Sequence, residues 1–188
     1  RLERLFARAY VTGHTPELAR ALNLAGILAA RSGNPSEARK YLDQAQSIGR
    51  ELGDQFKIAH SLYGFGLAAL AEGNLASAQQ QYEASLSLFR SIDHKPGITV
   101  VLMNLGELAL RNNNIEKTRQ YFEESLLICQ QMGHKLGSAE ALNALGSIAK
   151  THGDFTTAQQ YYEQALTFLR EINHLPGIAE ALMGLGSV

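Results

Sequence analysis

Residues 94–133 read HKPGITVVLMNLGELALRNNNIEKTRQYFEESLLICQQMG, and the chain is this unit written about five times at a spacing of forty residues. Placing His14, Asp54, His94, His134 and His174 in one column puts Gly26, Gly66, Gly106, Gly146 and Gly186 in a second. Leu22, Leu62, Leu102, Leu142 and Leu182 fall into a third. A period in this range marks an array in which each unit is one supersecondary element that buries its apolar face only against its neighbours.

Within the quoted unit, Leu102, Leu105, Leu108 and Ala109 recur at helical spacing and predict a first helix. The second half of the unit does the same. In the preceding copy Leu75, Ala78, Tyr82, Leu86, Phe89 and Ile92 lie on one stripe, about as wide as a core-facing helix needs. Between the helices stand Gly33-Asn34, Gly73-Asn74, Asn113-Asn114 and Gly153-Asp154. The first member of each pair tolerates the left-handed backbone that ends a helix, and the second carries a side-chain oxygen that caps the next one.

The joints between units follow the same logic. Gly13, Asp93, Gly133 and Asn173 end second helices, and Pro16, Pro96 and Pro176 sit just inside the following first helices, where a first-turn N–H has no helical partner to lose. Turns this short force neighbouring helices to run antiparallel. The register predicts a single array over 1–188. Its parts are a second helix of a cut repeat at 1–13, full repeats at 14–53, 54–93, 94–133 and 134–173, and a first helix of a cut repeat at 174–188, as in a piece of a longer array.

Of the 188 residues, 45% are apolar and 19% charged, the balance of a folding chain rather than a disordered one. Lys and Arg total 17 against 18 for Asp and Glu, which offers no basic surface to a phosphate backbone, so no direct nucleic-acid partner is expected. No apolar run approaches the ~20 residues that cross a bilayer, and no leader is read at the start. Cys129 has no second cysteine to pair with and lies on an apolar stripe, which reads as core in a soluble, cytoplasmic protein.

Spacing inside the unit points to a family. From Gly146, small Ala158 follows at plus twelve, aromatic Tyr162 at plus sixteen and small Ala165 at plus nineteen. The same steps give Gly106, Thr118, Phe122, Ser125, and Gly66, Ala78, Tyr82, Ser85. This resembles the tetratricopeptide repeat over the whole chain, in a forty-residue variant similar to the arrays of bacterial regulators and signalling ATPases and of kinesin-light-chain-like adaptors. Leu102 stands where that family often has Trp, and Ala109 where it often has Tyr. The resemblance implies an all-α, right-handed superhelical solenoid of antiparallel helix pairs. It also implies a non-catalytic scaffold whose concave surface, made by the first helices, holds a protein or peptide segment. The expected setting is the sensor or partner-binding arm of a larger bacterial signalling or transcription regulator, the alternative a free-standing adaptor or oligomerisation scaffold.

Nothing in the residues asks for catalysis, a metal or a cofactor. The histidine column places successive rings two helices apart, whereas zinc needs all its ligands at about 2 Å. His60 and His152 stand outside that column and read as surface. Gly64-Phe65-Gly66 falls inside a helix and follows no strand, so it cradles no phosphate. Asp43, Glu83, Glu123 and Glu163 form a solvated outer column, and Arg50, Arg90 and Arg170 suit the helix C-termini they occupy.

In the tetratricopeptide register the groove would be lined by Asn23, Tyr63, Leu67, Asn104, Glu107, Arg111, Asn143 and Lys150. Tyr63 and Leu67 offer an apolar anchor at one end. Asn104 and Asn143 carry side-chain amides that can both donate to and accept from an extended backbone. Contact with another part of the protein or with a second copy is the competing occupant, so self-association is the alternative outcome for the same surface. The turn chemistry carries its own test: Asn74→Ala should lower the unfolding free energy by about 1 kcal/mol through the lost cap, read from the urea midpoint. An unchanged midpoint would contradict the register.

Overall fold

The computed structural model describes residues 15–188. The second helix expected over 1–13, and the column member His14, lie outside the described residues. Among the described residues the ordered elements are helices: α1 (Pro16–Arg31), α2 (Pro35–Glu51), α3 (Gln55–Ala71), α4 (Leu75–Ser91), α5 (Lys95–Arg111), α6 (Ile115–Gln131), α7 (Lys135–Thr151), α8 (Phe155–Glu171) and α9 (Leu175–Leu185). Consecutive helices pack together into an all-α helical-repeat solenoid.

Most of the turns are held by one residue with two tasks. Asn74 closes α3 by donating its backbone N–H to the Ala69 carbonyl at 2.9 Å, while Gly73, at φ 75°, donates to Leu70 at 3.0 Å. This is the paired bonding that satisfies the last carbonyls of a helix. The Asn74 side chain then opens α4 by accepting from the Ser77 N–H at 3.0 Å. Asn114 accepts from Lys117 at 3.1 Å, Asp154 from Thr157 at 3.1 Å and Asp54 from Lys57 at 3.0 Å in the same way. Asn34 makes no such side-chain bond, and Pro35 at the first helical position presets the backbone there instead. At the joints His94 and His174 take over the capping, each accepting through Nδ1 from the backbone N–H three residues on, at 3.0 and 3.1 Å.

The described residues divide into two compact units, one ending at Gly97 and the other running from Ile98 to Val188. In the first, α2 packs between α1 and α3, and α4 packs on α3. Its core gathers Leu18, Leu22, Ala45 and Ile48 at one joint and Ala38, Leu42, Phe65 and Ala68 at the next. In the second, α7 packs on α6, α8 and α9, around Phe122, Leu145 and Ile148 and around Leu142, Ala165, Leu166 and Leu169.

What sets these contacts is the closeness of the helices. A Cβ on Gly106 would lie 2.8 Å from the Phe122 ring, one on Gly146 2.9 Å from Tyr162, and one on Gly26 2.6 Å from Leu42, and Gly66 meets Tyr82 more tightly still. Gly184 of the following repeat abuts Tyr162 as well, as Gly64 abuts Leu42. A third column works at the joints: Gly97 faces Phe89, Gly137 faces Cys129 and Gly177 faces Leu169. At the first joint the sizes are exchanged, with Gly49 small opposite Lys57 and Ile58. Gly106→Leu should therefore cost roughly 1–3 kcal/mol by overpacking. Because Gly106 and Phe122 touch, combining it with Phe122→Ala should cost less than the sum of the two single changes in a urea-denaturation cycle. Strict additivity would place the two side chains apart.

Candidate functional site

In the first unit the first helices are α1 and α3, and two of the three groove candidates there are already occupied. Asn23 is 3% exposed. Its Nδ2 donates to the Lys57 carbonyl at 3.0 Å and its Oδ1 accepts from Ser61 Oγ at 2.8 Å, so the amide ties α1 to α3. Tyr63 is buried, its hydroxyl accepting from Arg31 Nη2 at 3.1 Å and its ring 5.9 Å from that of Tyr82. Leu67 remains half-buried beside the Phe65 cluster and is the member of the trio with surface to offer.

His60, expected on the surface, is instead part of a ring cluster. It lies 4.7 Å from Phe56 and 5.5 Å from Phe89, and His94 lies 4.8 and 5.3 Å from the same two rings. The reason is periodicity: Phe56 and His60 are one turn apart on α3, and both face Phe89 of α4. Burial, then His94 and Lys57, hold the imidazole below its usual value. His152 does sit at the surface, its Nδ1 2.8 Å from the Ile148 carbonyl oxygen.

In the second unit the first helices are α5 from Ile98 onward, α7 and α9. Glu107 and Arg111 are exposed on α5, and Asn104 turns back to its own helix, donating to the Val100 carbonyl at 2.8 Å. Lys150, in the last turn of α7, donates to Ser187 Oγ at 3.0 Å. Asn143 is 7% exposed, and its Oδ1 is a buried acceptor with no donor among the described residues. Sequence reasoning passed over Glu140 and Glu180, which share one column of the repeat and lie on this face. Burial pushes the Glu140 carboxyl up; His134 and His174 draw it back, and Glu180 and Glu107 push it further up. The overlooked signal was the acidic pair at a first-helix position where the other repeats carry Arg20, His60 and Val100.

The cysteine is core: Cys129 is 1% exposed, and burial pushes its thiol up, away from nucleophilic use. Among the described residues no three His, Cys, Asp or Glu side chains gather as a metal site, and no helix is long and apolar enough to cross a membrane. Because the His60 ring is held below its ordinary 6.5, the unfolded chain takes up a proton as the pH falls past that value before the folded chain does. Stability should be full above 6.5 and decline as the pH falls toward the folded-state value. His60→Phe should shrink the drop in urea midpoint between about pH 7.5 and about pH 5.5, and an unaltered drop would show that His60 titrates as a free ring.

Comparison with known families and structures adds a second line of argument. A profile described as tetratricopeptide repeat matches residues 17–91 and 98–171, and another of the same description matches 63–131. The search of curated proteins yields no match. Among solved structures, BtubC (BKLC) from P. vanneervenii aligns with TM-score 0.71 at 21% identity, covering 84% of this chain and 65% of that one. A Signal Transduction ATPase with Numerous Domains carrying a tetratricopeptide repeat sensor, from Pyrococcus horikoshii, aligns with TM-score 0.77 at 18% identity over 89% of this chain and 26% of that one. Aspartyl phosphate phosphatase F from Bacillus subtilis reaches TM-score 0.84 at 14% identity, over 89% of this chain and 44% of that one. The chain thus spans between about a quarter and two thirds of the length of these structures.

Proposed function

The chain belongs to the tetratricopeptide repeat family, whose repeats generally serve as non-catalytic protein-interaction scaffolds, and from that premise we propose that it is the partner-binding or sensor arm of a larger signalling or transcription regulator. The observation that carries this reading is the first-helix face of the second unit. Val100 at 44% exposure and Leu110 at 46% stand there beside Glu107 and Arg111, an apolar and charged mixture that neither a core nor an ordinary solvated face needs. A protein or peptide segment laid along this face would cover the aliphatic groups and meet the charges. Capture of such a segment is the signal that domains joined to this array would read.

The Pyrococcus protein, in which a tetratricopeptide array is named as the sensor of a signalling ATPase, supports the arrangement through the shared fold. A cytoplasmic setting belongs to the same proposal and agrees with a single, buried, free cysteine. A second copy of the chain is the competing occupant of the same surface, which Val100 and Leu110 would also meet.

Retention and light scattering together test the reading. The immobilised chain should retain a defined protein from the extract of its own organism, and Val100→Ser with Leu110→Ser should lose it while the melting temperature holds. Light scattering should show one mass at all concentrations. A concentration-dependent dimer abolished by Leu67→Glu, with nothing else retained, would replace the arm by a self-associating scaffold.

A further inference from the structure

Three carboxylates stand on the first-helix face of the second unit. Glu107 is on α5, Glu140 on α7, and Glu180, in the same column as Glu140, on α9; all three are exposed, and none has a salt-bridge partner among the described residues. Their charges reach one another, since both Glu107 and Glu180 act on Glu140. Arg111 and Lys150 lie in the last turns of their helices, and His134 and His174, at the N-caps, act on Glu140 as well.

One turn after Glu140 on α7 comes Asn143, 7% exposed, its Oδ1 without a donor among the described residues. Its counterpart in the first unit shows what is missing. Asn23 Oδ1 accepts from Ser61 Oγ at 2.8 Å, and the register carries the Ser61 position to Ala181, next to Glu180 on the helix packed against α7. A methyl group therefore stands where the donor stood. A buried acceptor left empty is costly in a native fold, so the bond is expected from a group that enters between α7 and α9, beside Glu140 and Glu180. That group must carry a hydrogen-bond donor, and the surrounding carboxylates select a cation.

We infer that this face takes a basic peptide segment, one of whose arginine or lysine side chains donates to Asn143 Oδ1 while Glu140, Glu180 and Glu107 hold its charge. The inference rests on the partner-binding reading above and names the chemistry of the partner. Val100, exposed here, accepts the aliphatic residues between the basic ones.

Fluorescence anisotropy with labelled peptides tests it, using one peptide that alternates arginine with leucine and a second that alternates glutamate with leucine. The arginine peptide should bind the intact chain, more weakly as salt rises, and the glutamate peptide should not. Glu140→Gln with Glu180→Gln should weaken binding about tenfold, equivalent to ~1.4 kcal/mol. The same loss of charge on the outer column, Glu123→Gln with Glu163→Gln, should leave it unchanged. Ala181→Ser restores the internal donor, so it should weaken binding several-fold while raising the melting temperature. Equal weakening by the inner and outer variants, or no preference for the arginine peptide, overturns the inference. So does an Ala181→Ser variant that alters neither binding nor melting temperature. A glutamate peptide bound in place of the arginine one would sink the cationic partner and leave the scaffold reading intact. That reading falls only if the retention experiment also comes back empty.

Discussion

The whole structure depends on one steric condition: in each full repeat a glycine of the first helix lets a large side chain of the second helix lie against bare backbone. Gly66 with Tyr82, Gly106 with Phe122 and Gly146 with Tyr162 are the same contact repeated, with Leu42 in the ring's place opposite Gly26. Helices can approach this closely only where one partner has no Cβ, and the ring then fills the space that a pair of ordinary side chains would hold open. Where the following repeat also presents a small residue, as Gly184 does to Tyr162, the ring becomes the hinge-pin of three helices rather than two. The array is thus held by short-range contacts between neighbours, as a one-dimensional solenoid requires.

The joints obey a sum rule rather than a residue rule. Phe89, Cys129 and Leu169 each face a glycine three residues into the next first helix, and at the first joint the glycine moves to the other side, Gly49 against Lys57. Total volume across the joint is limited while its division between the partners is free. The turns are equally economical, with one residue both closing a helix through its backbone and opening the next through its side chain.

Much of this was legible in the residues because it is local and periodic. Period, helix pairing, caps and the glycine–aromatic contact all follow from columns that repeat every forty positions, and the left-handed turn residues Gly73, Asn113 and Gly153 stand where the pairs were read. The candidate site was read less well, because a face assigned from register says which way a side chain points and not what it meets there. Asn23 points into the space between first helices and is consumed by Lys57 and Ser61. Tyr63, a large apolar ring on that face, finds Tyr82 and Arg31 rather than solvent. His60 was misplaced for the same reason: Phe56 one turn away draws it into the rings around Phe89. Glu140 and Glu180 escaped notice because the column they share carries arginine, histidine and valine in the other repeats, so no single copy announced it.

The two units thus use one scaffold differently. In the first, polar groups between first helices satisfy each other; in the second, Ala181 stands at the Ser61 position and Asn143 Oδ1 has no donor among the described residues, on a face that also carries Glu107, Glu140 and Glu180. The most direct test is to follow the backbone amide resonances of the isotope-labelled chain by NMR as the arginine–leucine peptide is added. The account predicts shifts concentrated from Glu140 to Ser147 on α7 and from Glu180 to Gly184 on α9. Shifts centred instead on the outer column of Glu123 and Glu163, or spread evenly over the chain, would contradict it.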